Sequence, residues 1–301
     1  MQILVTGATG LVGAVLCQQL QQTGHHVAIL SRSPEKGRRL GVAAFAWQPE
    51  HELPPAEAVA NADVVVHLAG EAIAAGRWTA AQKERIRASR VISTQNLVAG
   101  LQAASRKPQA FICASAIGFY GNRGDEKLTE ASPAGTGFLS EVCQEWEAAA
   151  TAAQPFGVRV VQVRIGVVLA RDGGALSQML PIFKLGLGGS LGNGQQWFPW
   201  IHLDDVVGLL QHAIFHEAIH GPLNAAAPGI VTNEGFTKAL AAALHRPALF
   251  AVPNFALRLG LGEMADLLLG STRVIPAVAT ATEYEFKFSP LPAALANLFA
   301  S

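Results

Sequence analysis

The 301-residue sequence predicts an α/β fold in which helices cover both faces of a parallel sheet. Short apolar stretches alternate with segments of helical period, from a strand at Ile3–Thr6 to a strand at Gly221–Ala225. Half of the residues are hydrophobic and 15% are charged, a composition that fills a sizeable core and excludes a disordered chain. A ligand of such a sheet is expected outside the carboxyl ends of its strands.

The first strand is followed by a turn rich in glycine and then by a helix. At this position Gly7 permits a tight turn, Gly10 lets the backbone approach a pyrophosphate, and Gly13 lets the helix pack on the strand. Free N–H groups at the helix N-terminus then favour phosphate oxygens. The residues predicted to bind a dinucleotide here are Gly7, Thr9, Gly10, Leu11, Val12 and Gly13. The alternative is a tight turn that binds no ligand.

The residues at the end of the second strand, His26–Ser31, indicate which dinucleotide binds. A site for NAD places a carboxylate there, which accepts a hydrogen bond from the ribose 2′-hydroxyl. Here the strand ends in Ser31 and Arg32, and no acidic residue occurs before Glu35. A hydroxyl and a guanidinium suit a 2′-phosphate, so NADP(H) is predicted over NAD(H). A solvated basic loop is the alternative.

Further contacts to the cofactor are expected from later strands and helices. The apolar strand Asp63–His67 ends in a small-residue turn, where Gly70 lets a ribose or phosphate lie against the backbone. His67 is interpreted as a packed strand residue. A long helix, Thr79–Ala104, follows this turn and directs Arg90 toward the cofactor. The cofactor residues predicted beyond the first turn are Ser31, Arg32, Leu68, Ala69, Gly70, Arg90 and Val168.

Charge and cysteine content restrict the classes of partner and compartment. Lysine plus arginine equals aspartate plus glutamate, so no overall field favours nucleic acid or an anionic membrane. The three cysteines are scattered and lack metal-ligand spacing, as expected of free thiols in a reducing compartment. Neither a signal peptide nor a membrane span is expected. We therefore expect a cytoplasmic protein with a small-molecule substrate; a homodimer is compatible with the sequence.

Three motifs occur in the order typical of one superfamily. TGATGLVG is at Thr6–Gly13, HLAG at His67–Gly70 and ASAIGFYG at Ala114–Gly121, and with them the chain resembles the extended short-chain dehydrogenase/reductases. A fourth stretch, GLGGSLGNGQQWFPWIHLDD at Gly186–Asp205, narrows the resemblance to the epimerase-family branch, which is similar to nucleoside-diphosphate-sugar epimerases. The resemblance implies a Rossmann core that binds NADP(H), and a substrate region built from the C-terminal third.

The sequence departs from that superfamily where its catalytic Ser, Tyr and Lys belong. By alignment these positions carry Ala116, Gly137 and Glu141, and no tyrosine of the chain has a lysine four residues later. Tyr120 and Ser115 are therefore the candidate catalytic hydroxyls. Without a lysine neighbour, the Tyr120 hydroxyl would stay protonated at neutral pH, which favours carbonyl reduction with Tyr120 as proton donor.

These observations predict an oxidoreductase or epimerase that acts on an unidentified, sugar-nucleotide-like small molecule. The alternative is a regulatory protein that binds NADPH without turnover. We expect a Rossmann core over 1–170, to which the chain returns at 200–228, and a smaller mixed α/β substrate region over 171–301 that ends in a module at 246–301. The substrate is expected between Tyr120, the glycine-rich loop Gly186–Gly194 and Trp197–His202.

Two further motifs receive structural interpretations. His216–His220 reads H-E-x-x-H, a zinc-binding pattern on a helix, but Gly221 and Pro222 end the helix at once. A chance match on a helix end is therefore favoured over a metal site. Asp204 and Asp205 are expected to cap the N-terminus of the same helix rather than take part in catalysis.

Overall fold

The computed structural model describes residues 1–74 and 76–300, except for the side chains of Arg38 and Arg39. The strands of the chain, in sequence order, are β1 Gln2–Thr6, β2 His26–Ser31, β3 Ala43–Ala46, β4 Val64–His67, β5 Ala110–Ala116, β6 Lys127–Leu128, β7 Arg159–Ile165, β8 Val167–Leu169, β9 Trp197–Phe198, β10 Trp200–His202, β11 Gly221–Ala225, β12 Val231–Thr232 and β13 Arg273–Val274. Seven of them are parallel and form the central sheet, in the order β11-β7-β5-β4-β1-β2-β3.

Helices cover both faces of this sheet, as the sequence predicted. They are α1 Leu11–Gln22, α2 Glu35–Arg39, α3 Ala56–Ala60, α4 Ala80–Ala103, α5 Phe138–Thr151, α6 Gly174–Lys184, α7 Leu203–Phe215, α8 Asn233–Ala243, α9 Asn254–Leu261, α10 Asp266–Leu269, α11 Ala277–Ala281 and α12 Leu291–Phe299. On one face Leu16 of α1 and Leu210 of α7 join an apolar cluster with the strands. On the other face Leu97 of α4 and Trp146 of α5 do the same. No helix in the described ranges is long and apolar enough to cross a membrane.

The chain leaves the central sheet at Gly166. A Cβ at this position would lie 2.7 Å from the carbonyl oxygen of Pro199, so only glycine lets the two backbones approach. Strand β8 then pairs with β10 in a separate two-stranded sheet. Beyond this point, α6, α8 and α12 surround a smaller apolar core that contains Phe236 and Leu295.

Helix α7 differs from the prediction at both ends. Its N-cap is His202, whose Nδ1 accepts a hydrogen bond from the Asp204 backbone N–H at 3.1 Å, so the expected capping by Asp204 and Asp205 is wrong. The buried Asp205 carboxylate instead accepts from the backbone N–H groups of Lys287 and Phe288, at 2.8 and 3.0 Å, and holds the C-terminal segment on the helix.

At its other end α7 stops at Phe215, so the H-E-x-x-H motif lies after the helix rather than inside it. Its two histidines therefore do not share a helix face. Over residues 1–74 and 76–300, no group of three or more His, Cys, Asp or Glu side chains could hold a metal ion. The three cysteines are buried and free.

Candidate cofactor site

The glycine turn after β1 packs backbone against backbone. Gly7 has φ +68°, and a Cβ there would lie 2.6 Å from the carbonyl carbon of Leu68. A Cβ on Gly13 would lie 2.3 Å from the carbonyl oxygen of Gly7. The Gly10 N–H donates to the same oxygen at 3.0 Å. The turn therefore holds β1, the end of β4 and α1 closer together than any other residue type would allow.

The N-terminus of α1 is open toward the carboxyl edge of the sheet. Its N-cap, Gly10, provides no side-chain cap, and the first turn of the helix carries no acidic residue. Thr9 and Gly10 are exposed, and Leu11 and Val12 are half-buried. A twelve-residue helix with uncapped N–H groups attracts an anion at this end.

A buried chain of hydrogen bonds fixes the neighbouring turn, Leu68–Gly70. Thr6 Oγ1 lies 2.6 Å from His67 Nδ1 and accepts from the backbone N–H groups of Leu68 and Ala69, both at 3.2 Å. His67 is fully buried in β4, and burial lowers the pKa of its imidazole to about 3. The histidine is therefore neutral and packed, as its strand position suggested.

The tip of β2 lies at the same edge as the glycine turn. Strands β1 and β2 are parallel with Thr6 opposite Leu30, so Gly7 and Ser31 follow paired residues. The Ser31 hydroxyl accepts from the Ser33 backbone N–H at 3.1 Å, which folds the tip into a turn. Arg32 is exposed at this turn. The structure thus brings together the two features from which the sequence predicted a cofactor.

Arg90 lies beside this edge but is held by the protein. Its Nη2 donates to the carbonyl oxygen of Glu71 at 2.9 Å, and its guanidinium carbon lies 5.3 Å from the Trp146 ring. A Cβ on Gly70 would lie 3.2 Å from that guanidinium carbon. Burial lowers the pKa of Arg90, and nearby Cys143 and Glu71 oppose that shift. Arg90 therefore packs against the turn at Gly70 and holds it in place.

The last predicted cofactor residue, Val168, is half-buried in β8. The glycines that follow this strand pack between it and helix α1. A Cβ on Gly174 would lie 3.2 Å from both the Val168 carbonyl oxygen and a methyl carbon of Leu11, and one on Gly173 would lie 3.2 Å from another methyl carbon of Leu11. Val168 and Leu11 therefore both lie beside these glycines, near the N-terminus of α1.

The two candidate catalytic hydroxyls lie in a buried polar cluster. Ser115 Oγ donates to Glu147 Oε1 at 2.7 Å. Tyr120 is 0% exposed, and its hydroxyl donates to Asn224 Oδ1 at 2.7 Å and accepts from Arg164 Nη1 at 2.9 Å. Burial raises the pKa of Tyr120, although Arg164 opposes the rise. Both hydroxyls are therefore engaged within the protein.

Arg164 is the centre of this cluster. It donates two hydrogen bonds of 2.8 Å to the Glu147 carboxylate, and its guanidinium carbon lies 3.5 Å from the Phe119 ring centroid. Arg164 and Glu147 therefore form a buried ion pair. Glu147 and Asn224 are residues that sequence reasoning missed, and nothing in their local sequence distinguishes them.

The fold and this edge of the sheet define the Rossmann class of α/β proteins. Within that class, the chain belongs to the NAD dependent epimerase/dehydratase family, whose family model matches residues 3–226. A second family model, a domain of unknown function, matches residues 252–298. The resemblance seen in the sequence motifs is thereby confirmed.

Relatives of this chain occur in distant organisms. An epimerase family protein of Mycobacterium leprae is 40% identical over 296 residues, which cover 97% of this chain and 94% of the relative. The crystal structure of human epimerase family protein SDR39U1 with NADPH aligns with a TM-score of 0.89 and 36% identity over 99% of both chains. A nucleoside-diphosphate sugar epimerase from Corynebacterium glutamicum aligns with a TM-score of 0.79 and 38% identity, over 98% of this chain and 57% of the other.

Proposed function

We propose that this protein binds NADP(H) at the carboxyl edge of its sheet. The observation that carries the proposal is the position of the glycine turn Gly7–Gly13 beside the exposed basic tip Ser31–Arg32, at the ends of paired parallel strands. The human relative crystallised with NADPH supports the same ligand for this chain.

The residues at this edge fit the parts of the cofactor. Backbone N–H groups of Leu11–Gly13 would hold the pyrophosphate, since Gly10 brings no side chain between them and the ligand. The Ser31 hydroxyl and the Arg32 guanidinium would hold the 2′-phosphate, because both are donors and no carboxylate lies between them and Glu35. Leu68, Ala69 and Gly70 would border the ribose on the nicotinamide side.

Calorimetry of the purified apo protein with NADPH and with NADH tests this proposal. We expect NADPH to bind at least about tenfold more tightly, a difference of about 1.4 kcal/mol. Equal affinities, or tighter binding of NADH, would contradict the role of the β2 tip.

We propose further that the protein is an oxidoreductase or epimerase of a small molecule. A bound nicotinamide supplies a hydride to a substrate or takes one from it. At the start of α5, Phe138 follows Gly137 and packs edge-on against Trp78, with ring centroids 5.3 Å apart, and these two rings would form an apolar wall beside the nicotinamide. Because Tyr120 and Ser115 are bonded within the protein, a bound water or a substrate group is the proposed proton source.

The buried state of both hydroxyls also favours a second candidate, a protein that binds NADPH without turnover. Two assays separate the candidates: oxidation of NADPH by a panel of aldehydes and ketones, and conversion of nucleoside-diphosphate sugars to their epimers by the protein loaded with NADP⁺. Enzyme-dependent oxidation supports the oxidoreductase, and a new epimer supports the epimerase. Tight NADPH binding with neither reaction supports the regulatory protein.

A further inference from the structure

Large apolar side chains are exposed together where the segment after α6 meets the segment between α8 and α9. Six of them, each between 54% and 82% exposed, are Leu185, Leu187, Leu249, Phe250, Phe255 and Leu259. We call this set the apolar ridge. It contains half of the twelve exposed large hydrophobic side chains in the described ranges, so these side chains are concentrated in one region rather than scattered.

Backbone contacts join the two segments that carry the first four members of the ridge. The Val252 backbone N–H donates to the Ser190 carbonyl oxygen at 2.9 Å, and the Val252 carbonyl oxygen accepts from the Gly192 N–H at 2.8 Å. A Cβ at Gly189 would overlap the carbonyl oxygen of Phe250, so the two backbones touch there. The segments therefore run side by side, and their apolar side chains form one surface.

Helix α9 carries the other two members. Phe255 and Leu259 are four residues apart and lie on one face of the helix, whereas Leu257 on another face is buried. Arg77, from the loop before α4, donates through Nε to the Gly260 carbonyl oxygen at 2.8 Å. The helix is therefore held against the body of the protein while Phe255 and Leu259 extend into solvent.

The area of the ridge is large for a protein surface. A large apolar side chain presents about 200 Å² when fully exposed, so at their exposed fractions the six present roughly 800 Å². The largest exposed apolar patch of a typical monomeric soluble protein is about 300–600 Å², and larger patches mark sites that bind a protein or a membrane. A binding partner is therefore expected to cover the ridge.

The charges near the ridge restrict that partner. Residues 173–203 and 235–262, which include the whole ridge, contain no aspartate or glutamate. Lys184 and Arg246 are exposed within them, and neither forms an ion pair with a carboxylate of the described residues. The glutamates that flank the second segment are each paired with a lysine. A second copy would bring the same cations to this face, whereas an anionic partner complements them.

We propose that the apolar ridge binds the surface of a membrane that contains anionic lipid. Leucine and phenylalanine side chains that extend this far from the protein suit the acyl layer, which adapts to their shape. Lys184 and Arg246 would then lie at the level of the lipid phosphates. The protein would lie on the membrane without crossing it. This inference goes beyond the proposed function and does not rest on NADP(H) binding.

Cosedimentation with lipid vesicles tests the proposal. One set of vesicles contains phosphatidylcholine alone, and the other contains equal amounts of phosphatidylcholine and phosphatidylglycerol. We expect at least about fivefold tighter binding to the anionic vesicles, and weaker binding to them as salt is added. Absence of binding to the anionic vesicles, or equal binding to both sets, would overturn the proposal.

A matched pair of double variants locates the apolar contact. Phe255→Ser with Leu259→Ser should weaken binding to anionic vesicles at least about tenfold, because less apolar area enters the lipid. Leu53→Ser with Ile92→Ser removes exposed apolar side chains elsewhere and should leave binding unchanged. If the first pair does not fold, Leu249→Ser, at the most exposed member of the ridge, takes its place with an expected loss of about threefold. Equal vesicle binding by ridge and control variants would contradict the site.

A charge reversal tests the electrostatic part separately. Lys184→Glu should reduce the preference for anionic vesicles, whereas Lys127→Glu, an exposed lysine outside the ridge, should retain it. Analytical ultracentrifugation of the same proteins tests the other occupant. A dimer that the Phe255→Ser and Leu259→Ser pair dissociates, without vesicle binding, would show that a second copy covers the ridge and that the proposal is wrong. Calorimetry with NADPH on these samples reports separately on the cofactor proposal.

Discussion

Thr6 and His67 are joined by a hydrogen bond of 2.6 Å between Oγ1 and Nδ1, where strands β1 and β4 end. The Thr6 hydroxyl has one proton, and it also accepts from the backbone N–H groups of Leu68 and Ala69. The Thr6 hydroxyl must therefore donate its proton to His67 Nδ1, which acts as the acceptor. The imidazole then carries its own proton on Nε2, which faces Ser93 Oγ at 3.3 Å. One buried hydroxyl thus fixes the turn beside the proposed cofactor.

Replacing this hydroxyl should destabilise the protein. Thr6→Val keeps the shape of the side chain but leaves His67 Nδ1 and the Ala69 backbone N–H without the hydroxyl, at an expected cost of about 1–3 kcal/mol. The Leu68 N–H keeps the Thr6 backbone carbonyl as an acceptor at 3.2 Å. Thr6→Ser retains the hydroxyl and should cost less. Urea denaturation of both variants measures the difference. Equal stability of the Val and Ser variants would refute the role of the hydroxyl.

Buried His67 should make the protein less stable in acid. Its folded pKa of about 3 lies below the ordinary value of 6.5, so the unfolded chain takes up a proton first. The free energy of unfolding should therefore fall by about 1.4 kcal/mol per pH unit as the pH is lowered from about 6 to about 3, with no contribution above pH 7. His67→Gln should remove this component from the pH profile, whereas the exposed His220→Gln should retain it. An unchanged slope in His67→Gln would contradict the assignment.

Loss of the ion pair between Arg164 and Glu147 should destabilise the protein far more than loss of a surface ion pair. Glu147→Gln leaves a buried guanidinium without its carboxylate, at an expected cost of about 3–5 kcal/mol. Glu126→Gln breaks the exposed pair with Arg123 and should cost less than about 1 kcal/mol. If Glu147→Gln does not fold, Glu147→Gln combined with Arg164→Met should recover stability. Similar losses for Glu147→Gln and Glu126→Gln would argue against a buried charge.

Tyr120→Phe should affect stability rather than cofactor binding. The variant loses a buried hydroxyl that Asn224 and Arg164 both engage, at an expected cost of about 1–3 kcal/mol, with NADPH affinity unchanged. Tyr284→Phe removes a longer contact of 3.2 Å to the Asp205 carbonyl and should cost less. Once a substrate is known, a hundredfold loss of turnover in Tyr120→Phe would restore Tyr120 as the proton donor.

Local patterns predicted most of the elements. The helix expected over Thr79–Ala104 occurs at Ala80–Ala103, because Thr79 caps it by accepting from the Gln82 N–H and the apolar period continues to its end. The glycine turn could be located for the same reason, since its strand, turn and helix are adjacent in sequence. Such features depend on neighbours within a few residues.

The buried cluster at Tyr120 could not be predicted in this way. Glu147, Arg164 and Asn224 come from α5, β7 and β11, and they meet because β5, β7 and β11 are neighbours in the sheet. The sequence identified Tyr120 as a hydroxyl near the end of a strand, but strand order decides which partners surround it. For the same reason, the use of Asp205 by the C-terminal segment had no local signal.

The most direct test of the account is the cofactor preference of the Arg32→Glu variant. The guanidinium at the tip of β2 favours a 2′-phosphate, whereas a carboxylate there repels it and accepts from a 2′-hydroxyl. Calorimetry should therefore find NADPH tighter than NADH for the unaltered protein and for Arg246→Glu, a matched charge change after α8, and NADH tighter for Arg32→Glu. Retention of the NADPH preference by Arg32→Glu would contradict the account.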